Sequence, residues 1–234
     1  MINIDTVYQK VLAIANKEQR GYVTPQEFNL FADQAQKDIF EQYFFDLNQF
    51  LRVPGNNTNY ADTVSVIEHK LQHFEKTLDS TSIGQLLTLP DGAILLPDDI
   101  YRIIRVELNN RDCSILNLED FRAAINNVPL LKPSTSQPIA NIRNNEIRVN
   151  VGETLNTNPT FIYYYSIPKK PIWNYIVTNG EALYSGTGVD FELDISEENN
   201  LINKILQLAG IMMNNELYQA ASQEEIKDIQ QEKS

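Results

Sequence analysis

Residues 24–51, TPQEFNLFADQAQKDIFEQYFFDLNQFL, contain no glycine and carry proline only at the second position. Thr24 has the side chain of an N-cap, Pro25 suits the first helical position and Glu27 the third, so the opening reads as a capping box. One long helix is predicted from there, spanning ~40 Å at 1.5 Å per residue. Its apolar residues fall on two lines, Phe28, Ala32, Ala35, Ile39 and Phe40, Phe44, Leu47, Leu51, with Phe31, Tyr43, Phe45 and Phe50 beside them. A helix apolar over so much of its girth is covered on more than one side. It is a central core helix, or it lends one face to a neighbouring subunit through Phe40, Tyr43 and Phe44.

Upstream, Ile4, Val7, Tyr8, Val11, Leu12 and Ala15 predict a helix over 4–18, stopped by Gly21. Downstream, the turn at residues 54–57 leads to a helix expected from Tyr60 to Leu78, with Val64, Ile67, Leu71 and Phe74 on its stripe. Near residue 83 the grammar changes to short apolar runs separated by Pro, Gly and Asn pairs, which predicts antiparallel sheet. Expected strands are 86–89, 100–108, 114–117, 139–143, 146–151, 160–167, 172–178, 182–184 and 189–193, with a short helix over 118–125. Asn109-Asn110, Asn144-Asn145 and Asn179-Gly180 stand where hairpin turns need positive φ. A last helix starts at Asp194 or Ser196. The expected fold is α+β: an N-terminal helical bundle with a long central helix, an antiparallel β-sheet middle, and a C-terminal helix packing back on the bundle. One domain is expected over 1–221, helical in 1–80 and 194–221 and β-rich in 83–193. A polar tail, 222–234, has only Ile226 and Ile229 to bury against a partner.

The 234 residues include 31 acids against 19 Lys and Arg, a net charge of −12. That balance opposes a role in gripping phosphate backbone, which needs clustered cations. A lone cysteine excludes a disulfide framework and a Cys-rich zinc site. No run approaches ~18 apolar residues, and the start lacks a signal peptide's basic and apolar regions. The expectation is a protein of a reducing compartment that does not enter a membrane.

Candidate chemistry is sparse. From Asn16 to Glu27 the spacing imitates a calcium loop, with Gly21 at position 6 and Glu27 at 12, but Arg20 occupies a ligand position and opposes a cation. His69 and His73 are four apart, as two metal ligands could be, with no third ligand nearby in sequence. Gly186-Thr187-Gly188 is a lone G-x-G followed by neither helix nor lysine, and no G-x-S-x-G elbow exists. Cys113 has no motif linking it to a histidine, and Asp98-Asp99 read as turn residues. No catalytic, cofactor-binding or metal-ligating residue is therefore expected, and binding or assembly is preferred to catalysis.

Three segments carry a resemblance: VYQKVLAIANKEQRGYVTPQEFNLFADQAQKDIFEQYFFDLNQF at 7–50, LPDDIYRIIRVELNNRD at 96–112 and FIYYYSIPKKPIW at 161–173. Together they resemble head-to-tail connector (ring, adaptor or tail-tubular-like) proteins of crAss-like and related short-tailed phages. The resemblance implies a structural virion protein of the neck or tail, assembled in the host bacterial cytoplasm. It implies a homo-oligomeric ring, usually of twelve copies, below the portal protein and joined to other tail or ring proteins. Genomic DNA would pass through the lumen without sequence-specific binding. A closed ring needs two different complementary faces per subunit, and an acidic channel lets DNA slide. The alternatives are a stand-alone intracellular protein-binding adaptor and an enzyme whose site is assembled from residues far apart in sequence.

Overall fold

The capping box forms. Thr24 N and Oγ1 donate to Glu27 Oε2 at 3.0 and 2.8 Å, while Glu27 N donates to Thr24 Oγ1 at 3.3 Å. Helix α2 (Pro25–Arg52) runs from this cap. It belongs to a computed structural model that describes residues 1–17, 22–52, 58–89, 93–126, 132–152 and 159–210. The chain is mixed α+β and divides into two compact units, Met1–Lys70 with Pro168–Ser234, and Leu71–Ile167.

In the first unit, α1 (Ile4–Lys17) buries Ile4, Val7, Tyr8, Val11 and Ala15. Helix α2 buries both of its apolar lines as far as Phe44, and its exposed residues include a stripe of Leu30, Gln34, Lys37, Glu41 and Phe45. Asp194 caps the turn Ile195–Glu197 by accepting from Ser196 N at 2.9 Å. Helix α6 (Glu198–Leu208) then packs Leu201, Ile202, Ile205 and Leu206 against α1 and α2.

Residues 168–193, read as part of the sheet region, group with these helices. Only bridges form at Ile172–Val189 and Ile2–Phe191, so the expected strand 189–193 is absent; the strand expected from 172 begins at β9 (Tyr175–Thr178). β9 pairs with β10 (Glu181–Tyr184) in a hairpin. Trp173 is buried there against Tyr8, Tyr175 and Tyr184, at ring-centroid distances of 4.3, 5.8 and 5.7 Å. Its Nε1 donates to Asp5 Oδ1 at 2.8 Å.

Helix α3 (Thr58–Leu71) stops seven residues before the expected end at Leu78. A 3-10 turn, Gln72–Phe74, follows, then strand β1 (Glu75–Asp79) and α4 (Ser80–Gly84). Leu71, Phe74 and Leu78 satisfy a helical period, but two non-helical interactions prevail. Strand β1 pairs along its whole length with β8 (Phe161–Ser166), and Asp79 caps α4 by accepting from Ser82 N at 2.7 Å.

The second unit holds two four-stranded sheets. One has the order β1-β8-β3-β4, with β3 (Ile100–Leu108) and β4 (Arg111–Asp112), all antiparallel. The other runs β2 (Ile94–Leu95), β7 (Glu146–Asn150), β6 (Ile139–Arg143), β5 (Ser114–Ile115). The expected antiparallel arrangement needs one correction: β5 and β6 are parallel. Parallel neighbours need a crossover connection, and the chain between Ile115 and Ile139 supplies one that includes a helix. Residues 86–89 make only a bridge from Thr88 to Ile94. Ile83, Val106, Leu108, Cys113, Ala140, Ile147, Val149 and Ile162 form the core, and α5 (Leu118–Asn126) covers Ile139 with Phe121 and Ala124.

All three asparagine turns adopt positive φ at both central residues: 50° and 60° at Asn109-Asn110, 50° and 64° at Asn144-Asn145, and 54° and 86° at Asn179-Gly180. Each closes a two-residue hairpin whose twist suits the flanking strands.

Candidate functional site

Several of the candidate reactive side chains are committed to structure. Glu27, the last place of the calcium-like spacing, spends its carboxylate on the capping box, and the Thr24 hydrogen bonds hold that carboxyl below its ordinary value. Residues 18–21 of that spacing lie outside the described residues. His69 is on α3 and His73 on the following 3-10 turn, and both side chains are exposed. Cys113 is buried, and burial, with the charges of Asp112 and Glu107, pushes its thiol up to about 11. Such a thiol stays protonated and unreactive at neutral pH. Asp99 pairs with Lys76 at 3.1 Å, and Asp98 accepts from Asn145 Nδ2 at 3.3 Å. The G-x-G segment is a closed turn: Gly188 N donates to Tyr184 Oη at 3.1 Å, and Ser185 and Thr187 share a hydroxyl contact at 2.9 Å.

Two open grooves of about 580 and 540 Å³ lie in the sheet unit. Among the described residues their linings bring hydroxyls, Lys132, Asp112 and Asp120 together, with neither a histidine nor Cys113. Among the described residues no group of three His, Cys, Asp or Glu could hold a metal ion. None of their helices is long and apolar enough to cross a membrane.

Three of the five residues expected at a subunit contact are placed otherwise. Phe40, Tyr43 and Phe44 are 2, 6 and 7% exposed, buried within the chain, and so are not outward surface. Burial pushes the Tyr43 phenol above its ordinary range, and the Lys70 ammonium sits 5.8 Å from its ring centroid. Lys70 in turn donates to Glu197 at 2.6 Å, fastening the end of α3 to the start of α6. Ile226 and Ile229 lie outside the described residues.

What the surface does offer is apolar. On the β9–β10 hairpin, Ile176 and Leu183 are direct cross-strand partners and 57 and 48% exposed, and Val177 is 67% exposed. The other face carries Tyr175 and Tyr184 onto Trp173, so the hairpin is anchored at its base. Among the described residues neither strand has a further neighbour. A two-stranded ribbon with apolar side chains in water and both edges open is a surface that gains from a partner. Sequence reading found the hairpin and missed its exposure; the signal was Ile176 and Val177 in succession, which leaves neither face of β9 polar.

Neither the protein-family models nor the curated proteins with which the chain was compared match it.

Proposed function

We propose that this chain is a structural assembly protein, the ring subunit of a phage head-to-tail connector. On this reading copies associate through extended faces of the helical bundle centred on α2, with α6 packed back on it, and of the sheet unit. The ring, of about twelve copies in the connectors it resembles, would sit below the portal protein and meet other tail proteins. DNA would pass without base contacts. The exposed Ile176–Leu183 pair on an open-edged hairpin is the observation that carries it, because such a surface costs solubility unless a partner covers it. The net charge of −12 agrees with a channel that does not hold DNA.

Electron microscopy of the purified chain mixed with portal particles tests this reading. Rotationally symmetric rings on the portal are the expected result. Monomers that leave the portal bare overturn it and favour the stand-alone adaptor.

A further inference from the structure

Asn150, at the end of β7, is 2% exposed and uses only half of its side chain. Its Oδ1 accepts from Gly152 N at 2.6 Å, while its Nδ2 has no hydrogen-bond partner among the described residues. The buried side-chain atoms without a partner among those residues are Asp33 Oδ1 and Tyr43 Oη. Asn150 Nδ2 is therefore not sealed, and what it opens onto is the groove of about 580 Å³ that Asn150 lines. A buried amide keeps N–H groups unpaired where a molecule from outside can take them.

The opposite wall is the segment Lys132–Gln137. Its turn is closed by Ser134 N donating to Gln137 O at 3.2 Å and Gln137 N donating to Ser134 O at 3.1 Å. Gly152, at φ 95°, lies directly against this segment, and a Cβ there would stand 2.3 Å from Pro133 O. The walls thus meet through backbone, and the groove is preformed.

Side-chain hydrogen-bonding capacity in the groove is one-sided. The acceptor of Asn150 is spent on Gly152, and Ser134 Oγ accepts from Gln137 N at 3.2 Å and meets Ser136 Oγ at 2.9 Å. What remains is Asn150 Nδ2, the Thr135 hydroxyl and the ammonium of exposed Lys132, which makes no ion pair with a described residue. None of the described lining residues is acidic. Donors that include one cation, with no competing carboxylate, match an acceptor bearing negative charge. Ile125, Pro133 and Val151 add an apolar surface beside them. The adjoining groove also reaches Lys132 but brings in Asp112 and Asp120, which repel an anion. The chain's net charge of −12 acts weakly here, because charges beyond ~8 Å are screened at physiological salt.

We propose that this groove binds a small molecule bearing an oxyanion, either a phosphate monoester or a carboxylate. The anion is held by Lys132 Nζ, Thr135 Oγ1 and Asn150 Nδ2, and the apolar body of the ligand lies on Ile125 and Val151. Every residue of the site belongs to the sheet unit, so it is independent of the assembly reading.

Calorimetric titration of the full chain with phenyl phosphate, benzoate and benzyl alcohol, at constant ionic strength in chloride, tests it. The probes share an aromatic body; the first two carry the two kinds of oxyanion and the third carries none. Saturable binding of phenyl phosphate or benzoate at least ~10-fold tighter than benzyl alcohol is expected, and the tighter anion identifies the headgroup. Lys132→Gln, at an exposed position, is expected to weaken that binding by at least ~10-fold. Asn150→Asp keeps an acceptor for Gly152 N but puts a carboxylate in place of the donor, and is expected to abolish binding. Lys132→Gln decides alone if Asn150→Asp fails to fold. Benzyl alcohol binding as tightly as the anions, no binding of either anion, or anion affinity unchanged in either folded variant overturns the site.

Discussion

Asn29 holds the backbone of Trp173 from both sides: its Nδ2 donates to Trp173 O at 3.2 Å, and Trp173 N donates to Asn29 Oδ1 at 2.7 Å. Two helical turns further along α2, Gln36 repeats the device. Its Nε2 donates to Lys169 O at 2.8 Å, and its Oε1 accepts from Glu192 N at 3.0 Å. Two amides on the packed side of α2 thus supply hydrogen bonds to the backbone of Lys169, Trp173 and Glu192. This explains a fully buried glutamine among phenylalanines.

Asn29→Ala leaves a partly buried N–H and C=O of Trp173 without that partner. The expected loss is about 1–3 kcal/mol, the cost of orphaning buried polar groups. A urea titration reads it as a lower midpoint at unchanged slope, and an unchanged midpoint would show that the clamp contributes nothing.

The Lys70–Glu197 pair makes stability depend on pH. Burial raises the Glu197 carboxyl, but hydrogen bonds from Lys70 and Asn200 outweigh it and leave the carboxyl below its ordinary 4.5. A carboxyl lower in the folded than in the unfolded chain contributes stability above the unfolded value and loses it as pH falls through the folded one. Thermal midpoints should therefore be level above about pH 5.5 and fall below about pH 4.5. Glu197→Gln is expected to flatten that fall in part, because Glu27 and Asp79 are held low as well.

Cys113 should resist a disulfide reagent in the native protein. A thiol at about 11 in place of 9.0 has ~100-fold fewer thiolates at pH 8, before any loss of access is counted. Reaction is expected to accelerate by at least that factor in denaturant. Fast native labelling would expose a nucleophile and favour the enzyme reading.

Gly188→Ala places a methyl 2.6 Å from Tyr184 Oη and 2.9 Å from Ile172 O. Tyr184 is stacked on Trp173 and the other neighbour is backbone, so neither yields cheaply. A loss of about 1–3 kcal/mol is expected, as for overpacking. Gly84→Ala, at a helical position where the added methyl meets nothing within 4 Å, serves as the unclashed comparison in the same calorimetric series and is expected to be neutral or stabilising.

Much of the fold was legible because its signals are local. A cap is made within three residues, as at Thr24 and Glu27, and a two-residue hairpin requires positive φ, which asparagine tolerates; both appear where they were read. The candidate surface was less legible. Phe40, Tyr43 and Phe44 looked like contact residues from their abundance alone, but exposure depends on what else packs against the helix, and among the described side chains of α2 Leu30 and Phe45 are the large apolar ones left in water.

Taken by itself, the sequence determined helix α2, the asparagine turns and the α+β class, since each follows from neighbours within a few residues. Tertiary structure alone decided that α3 ends at Leu71, that β1 pairs with β8, that β5 runs parallel to β6, and that β3 bulges twice. Leu71, Phe74 and Leu78 suit a helix as well as a helix followed by a strand. The choice is made by partners some ninety residues away, in the tyrosines of β8, and contacts of that range leave no periodic mark in the chain that makes them.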